Sequence, residues 1–464
     1  MKIILAGFNI ESEMVERLAG QTGELVTPEV ISAAYARISR DPRSVDMLRR
    51  EAREEVDRAR RSNETIIFGL GHSSIAEHAV FNFDIMDVSR LAVEEIEHFR
   101  LASFTEKSQR YIRLGRDFVI PDEISNAGLG KPFERLQKDL HEAYEQLLSR
   151  LLDSGADEGV AREDARYVMP LATSAQLGMT VNARELEYMV SRLASHPLAE
   201  LRLLSSRLSE AAKRTAPSLI RYPEPTDYSK SMQATREELA ILAPGRMSAP
   251  ASSVRLIEAT PHADLHLSAA LIFSAGGAPM KESRRKAERL GERGRADLIT
   301  KTFKCMQPHD SVWREFEQIH FLFELVVSAS CFAQLKRHRM ATIIKQRYEP
   351  ALGISIPPAV RKARAVTVLR RGAAKGEKLY NELVGRDAAA AAYALTNAHR
   401  RRVLLGLNLR ELYHFSRLRS DLHAQWEIRM ISDEMCRAAS ARAKTGAMFL
   451  GGKDTFEEKR GGTT

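Results

Sequence analysis

The chain has 464 residues and a mass of 52.0 kDa, too long for one ordinary domain, so two or three are expected. Its 44% hydrophobic and 28% charged residues exclude a disordered chain, and no apolar span reaches the roughly 20 residues a membrane crossing needs. Lys and Arg number 70 against 61 Asp and Glu; the net charge of +9 suits an anionic partner, and its modest size favours small phosphates about as much as RNA or a membrane surface.

In chain order, residues 2–8 read as a buried strand. Their apolar run Ile3-Ile4-Leu5-Ala6 is too short for a signal-peptide core. An Ala-rich helix is expected over 30–40. The alternation His78-x-x-Phe81-x-Phe83-x-Ile85 has period two, which means a strand with one buried face rather than a ligand platform. A helix follows from Ser89. Residues 132–152 carry Phe133, Leu136, Leu140, Tyr144, Leu147 and Leu151 at helical spacing, with Pro132 in the first turn and Gly155 as the stop. Pro217, Pro223, Pro225, Pro244, Gly245 and Pro250 break any long helix, so a linker is expected over 223–250. The pattern then restarts: a strand over 254–260, a helix over 267–274, the alternation Gln318-x-x-Phe321-x-Phe323-x-Leu325, and a helix from Ser328. The Gly-rich end, 451–464, reads as a disordered tail.

The repeat extends to polar motifs. Gln109-Arg110-Tyr111 is matched by Gln346-Arg347-Tyr348, Asn182-Ala183-Arg184 by Asn408-Leu409-Arg410, and Glu200-Leu201-Arg202 by Glu427-Ile428-Arg429. A tandem duplication explains these matches in one order. The expected fold is α/β (α+β), with homologous domains over 1–222 and 251–450, each a curved mixed sheet flanked by helices. Cys305, Cys331 and Cys436 form no CxxC pair, which argues against a disulfide framework and a zinc site and points to a reducing cytoplasm. His72, Glu77 and His78 lack HExxH spacing, so no metal is assigned. The run Arg284, Arg285, Lys286, Arg289 and Arg293 reads as a solvated helix face.

From Ser89 through His98-Phe99-Arg100 and Ser103 to Glu106, Ser108, Gln109, Arg110 and Tyr111, the chain resembles the RHRxxSxNExSxRY signature of flavin-dependent thymidylate synthases. The second half, with Arg337-His338-Arg339 intact and AQWEIR at 424–429, is similar to the same family. The resemblance covers nearly the whole chain twice. It implies conversion of dUMP to dTMP with methylenetetrahydrofolate and a reduced FAD recharged by NADPH, without a cysteine nucleophile. The first half has no cysteine, and Cys331 falls within an apolar helix, where a core role is expected.

By resemblance, the flavin contacts fall on His78, Arg100, Asn182, Arg184, Arg337, His338, Arg339, Asn408 and Arg410. The nucleotide contacts fall on Ser103, Glu106, Ser108, Arg110, Arg202, Gln334, Arg347 and Arg429, with Arg202 and Arg429 activating the pyrimidine electrostatically. Arginine suits this work because its planar fork stays charged and matches phosphate and carbonyl oxygens. Glu106 is acidic where a phosphate should sit, so its side chain is expected to turn away and leave the backbone to the ligand. The halves depart from the signature in different places. His98, Phe99, Thr105 and Glu95 replace family residues in the first half; Gln318 and a shortened loop do so in the second. A composite site, pairing the second-half triplet with the first-half loop, is one expectation; by resemblance to a homotetrameric family, a homodimer acting as a pseudo-tetramer is another. The departures leave open a non-catalytic flavin- or nucleotide-binding homologue, a derivative acting on another pyrimidine nucleotide, or a basic RNA-binding protein on the same scaffold.

Overall fold

The computed structural model describes residues 1–10, 27–37, 43–69, 72–222, 224–242 and 252–461. Pro223, Pro244, Gly245 and Pro250, residues 38–40 of the first expected helix and 462–464 of the tail lie outside them.

Among the described residues, two four-stranded sheets form. The first contains β1 (Lys2–Phe8), β2 (Val80–Ser89), β3 (Ala102–Glu106) and β4 (Ser174–Asn182), in the order β1-β2-β4-β3. The second contains β5 (Val254–Ala259), β6 (His320–Ser328), β7 (Thr342–Lys345) and β8 (Arg400–Asn408), in the order β5-β6-β8-β7. Every pairing is antiparallel, so the strand sense is uniform where mixed sheets were expected. The first strand of each half is an edge strand, with alternate residues exposed. That corrects the reading of 2–8 as buried: a strand with one neighbour and one covered face leaves residues such as Ile4 facing solvent.

The aromatic alternations lie on the inner strands. Phe81, Phe83 and Ile85 on β2, and Phe321, Phe323 and Leu325 on β6, are all buried, each contributing roughly 1.5–3 kcal/mol of transfer free energy. β2 carries one more residue than β6. Its register slips between Met86 and Val88, and Asp87 sits there at φ 56°. An extra residue held in the left-handed region bends the strand and re-aims its side chain.

The chain divides into two compact units whose segments interleave in sequence. The first consists of Met1–His141, Pro170–Arg246 and Lys378–Ala394; the second of Glu142–Met169, Met247–Glu377 and Leu395–Thr464. All six apolar positions predicted for the helix over 132–152 are buried in the helix Gly130–Asp153. Within the segment read as a linker, Asp227–Leu242 is helical. Within the segment read as a tail, Phe456 opens the helix Phe456–Gly461 and packs on Phe449 at 5.8 Å between ring centroids.

Each unit is pinned by the same buried clamp. Ser89 caps the helix Arg90–Ile96, its Oγ accepting from the Ala92 N–H, and donates to the Glu200 carboxylate at 2.7 Å. Tyr393 donates to that carboxylate at 2.6 Å. In the second unit Ser328 caps Ala329–Leu335 and donates to Glu427, which also accepts from Tyr167 at 2.8 Å and Ser355 at 2.7 Å. Burial and the adjoining carboxylate push both tyrosine hydroxyls well above their ordinary pKa, so each stays a donor.

Candidate functional site

In the first unit β3 runs antiparallel to β4, and the Lys107 N–H reaches the Gln176 carbonyl at 2.9 Å. The chain then leaves the sheet as a loop and returns at an isolated bridge between Phe118 and Thr173, the residue before β4. Loop and strand enclose a cavity of about 140 Å³, lined by Asp87, Lys107, Gln109, Asp117, Ala175 and Gln176 among others. The strained bulge at Asp87 therefore sits at the cavity, where such conformations cluster when they serve binding.

The predicted loop residues divide by direction. Glu106 turns inward: its side chain is buried, 3.9 Å from the guanidinium of Arg90, which also meets Glu94 at 3.4 Å. This is the direction expected of an acid beside an anion site, and it takes the Glu106 side chain away from solvent. Ser108 Oγ accepts from the Arg110 N–H at 3.1 Å, and the half-buried Arg110 lies over the Tyr111 ring at 5.5 Å. Ser103 is exposed on β3. Lys107 on the cavity wall supplies a cation that the motif did not single out.

Other predicted residues hold the fold around themselves. Asn182 and Asn408 are helix N-caps, accepting from Glu185 and Glu411 N–H groups at 2.9 and 2.8 Å. Arg184 pairs with Glu77, and Arg410 with Glu317 at 2.7 Å and the Val312 carbonyl at 3.0 Å. That pairing holds the Glu317 carboxyl below its ordinary pKa. The exposed Arg202 donates to the carbonyls of His196 and Pro197 at 2.7 and 2.6 Å; the half-buried Arg429 donates to that of Leu422 at 3.0 Å. His78 packs edge-on against Tyr35 at 4.6 Å. Among the described residues, no group of three His, Cys, Asp or Glu is placed to hold a metal.

The triplet turns present the same pattern in both units: exposed, buried, exposed. His98 and Arg100 flank the buried Phe99; Arg337 and Arg339 flank the buried His338. Phe99 packs against Tyr188, and His338 against Phe415 at 4.3 Å. His338 is 3.2 Å from Glu411 through Nδ1 and accepts from Arg419 at 2.9 Å through Nε2. Arg419 also donates to Gln334 at 2.8 Å. Burial, with Arg419 and His414 close by, holds the His338 pKa well below its ordinary value, so the ring is neutral at pH 7. His338 and Gln334 are thus buried members of a network, while Arg337 and Arg339 face outward.

The strand pairings also correct one correspondence. Because Lys107 and Gln346 bond to equivalent carbonyls of β4 and β8, Tyr348 stands where the first unit has Gln109, and Arg347 where it has Ser108. Tyr348 is buried and Tyr111 exposed, so the Gln-Arg-Tyr match is not a structural one. The offset falls from 239 residues, Lys107 to Gln346, to 236 at the bridges Phe118–Thr173 and Ile354–His399. The second loop is three residues shorter. The exposed Arg347 comes from β7 into this shorter loop. Sequence reasoning missed Tyr167 and Tyr393, although they stand 226 residues apart as Asn182 and Asn408 do.

Two of the three cysteines, Cys331 and Cys436, are buried. Burial raises the Cys331 thiol well above its ordinary pKa and Cys436 to about 11, which leaves both protonated at neutral pH. No helix among the described residues is long and apolar enough to cross a membrane.

A family model described as thymidylate synthase complementing protein matches residues 23–218 and 255–443. A flavin-dependent thymidylate synthase of Clostridium tetani is 29% identical over 212 residues, covering 43% of this chain and 83% of that protein. UPF0159 protein Ta1429 of Thermoplasma acidophilum is 25% identical over 457 residues, covering 87% of this chain and 91% of that one. Among solved structures, flavin dependent thymidylate synthase ThyX from Helicobacter pylori, complexed with FAD and dUMP, aligns with 48% of this chain and 100% of its own at 20% identity and a TM-score of 0.32.

Proposed function

The chain belongs to the thymidylate synthase complementing protein family, and from that premise we propose that it is a flavin-dependent thymidylate synthase converting dUMP to dTMP with methylenetetrahydrofolate and NADPH. The observation that carries the reading is the first unit's cavity under the 107–117 loop. Glu106 is withdrawn to Arg90, and Lys107 is the cation in the lining of a pocket of nucleotide-fragment size. A cationic loop offering N–H donors suits a phosphate, and the carboxylates of Asp87 and Asp117 suit sugar hydroxyls or ring N–H groups.

The donor set suits the flavin in part. Arg337 and Arg339 face outward from the second-unit turn, and two permanent cations there fit the diphosphate of FAD. His338 would act by holding that turn rather than by contact, since both ring nitrogens are engaged. Once bound, the reduced flavin would supply the hydride. Arg202, fixed by carbonyls at the start of its helix, would hold positive charge near the pyrimidine. In solution the proposed assembly is a homodimer in the cytoplasm, of twice 52.0 kDa, checked by light scattering.

A second reading, a flavin- or nucleotide-binding homologue without turnover, is favoured by one observation: Gln334, His338, Asn408 and Arg410 each engage a polar group in the fold. The test is the absorption spectrum of freshly purified protein, followed by a dTMP assay with methylenetetrahydrofolate and NADPH. A yellow protein that makes dTMP carries the first reading. Flavin and dUMP binding without dTMP carries the second. Binding of neither removes both.

A further inference from the structure

The two units can be compared position by position, because their strand pairings fix the correspondence. Ala175 pairs with Val88 just before the capping Ser89, and Arg401 pairs with Val327 just before Ser328. Gln109 and Tyr348 correspond through the bonds of Lys107 and Gln346 to β4 and β8. All four side chains point inward: Ala175 is 7% exposed, Gln109 7%, Arg401 4% and Tyr348 1%.

In the first unit Ala175 and Gln109 line the cavity. In the second the same two positions hold an arginine and a tyrosine in contact. The Arg401 guanidinium carbon is 3.8 Å from the centre of the Tyr348 ring and 4.8 Å from that of Phe332. A buried guanidinium on an aromatic face is a strong cation–π contact. The buried charges have moved to match. Counting from the capping serines, Arg90 and Glu94 become Ala329 and Ala333, and Glu106 becomes Lys345, which also reaches the Phe332 ring at 5.6 Å. The first unit's buried arginine thus comes from the helix after β2 and leaves space over β4. In the second unit Arg401 comes from β8 itself and occupies that space.

We infer that the second unit is closed against a nucleotide by its own Arg401–Tyr348 stack, so that each chain carries one pyrimidine-nucleotide site, in the first unit, kept open by Ala175 and Gln109. This rests on the reading of that cavity as the nucleotide site, and it gives the duplicated modules different work. The second unit's loop, three residues shorter and carrying Arg347 where the first has Ser108, has then no nucleotide to hold.

Equilibrium dialysis of the full chain against dUMP tests the count. One nucleotide per chain is expected. Ala175→Arg and Gln109→Tyr, which import the second unit's residues singly, should each weaken binding at least tenfold while thermal unfolding stays cooperative. Two nucleotides per chain, or unchanged affinity in both variants, would overturn the inference. Closure is read separately, without nucleotide, from the Nε–H resonance of Arg401, assigned by its loss in Arg401→Lys. It should be displaced by the Tyr348 ring current and exchange slowly with water. An undisplaced, rapidly exchanging signal overturns closure. A chain that binds no dUMP but keeps the displaced, slow signal overturns the nucleotide reading and supports closure.

Discussion

Single side chains in this protein are assigned by what surrounds them, and the surroundings often reverse the motif. His338 carries a motif letter read as flavin contact, yet it is buried between Glu411, Arg419 and Phe415. Its counterpart Phe99 shows that the position belongs to the core in both units. The exposed arginines on either side were legible, because a cation needs no partner to be read as a candidate. The burial of the middle residue depends on packing that no local pattern encodes. Asp164 was not legible at all. It is buried beside Trp426 and the Ala359 N–H, and burial raises its pKa to about 7. Its protonated form is favoured by folding, so the stability it gives is complete below about pH 4 and falls as pH rises to about 7, by roughly 4 kcal/mol for a shift of this size. Asp164→Asn should flatten that slope, as followed by urea unfolding between pH 4 and 8. In a Trp313→Phe background, Trp426 emission should titrate near pH 7 and lose that transition in the Asn variant.

At the level of elements, strands and helix starts were largely visible. Period-two aromatics marked β2 and β6, and the serines that cap the following helices stood in the motif itself. The link from each serine to a glutamate about a hundred residues away was not visible, since hydrogen-bond partners leave no periodicity. Each link joins a helix N-cap to a buried carboxylate. Ser89→Ala and Ser328→Ala should therefore each cost roughly 2–4 kcal/mol, a cap plus a hydrogen bond lost from a buried carboxylate, seen as a lower urea midpoint. Asn182→Ala and Asn408→Ala should cost about 1 kcal/mol each as lost caps. An unchanged midpoint in both would remove the cap as the reason for these residues. The bulge at Asp87 was hidden because one inserted residue in a strand looks like any other polar position. It showed only when pairings were compared between β2 and β6.

The duplication of the whole molecule was legible from ordered repeats, and the two sheets of identical strand order agree with it. The exchange of segments between the two compact units was not. A cut between sequence halves, at 222 and 251, leaves 378–394 with the second domain, whereas that segment belongs to the first compact unit and brings Tyr393 to Glu200. Likewise 142–169 belongs to the second unit and brings Tyr167 to Glu427. Amphipathic spacing says that a helix buries one face and says nothing about which partner receives it. Residues 1–222 expressed alone should therefore lack a cooperative thermal transition, and adding a peptide of residues 378–394 should raise its protection from proteolysis. A cooperative fragment indifferent to the peptide would show that the third segment is dispensable.

The interleaving also sets a timetable for biosynthesis. A ribosome that has finished residue 222 must add the whole stretch up to Ala394 before the first unit has all its parts, a delay on the order of 10–30 s at elongation speeds of about 5–20 residues per second. During that wait Glu200 is made but its tyrosine is not, so the first unit's clamp closes only after Tyr393 has been added.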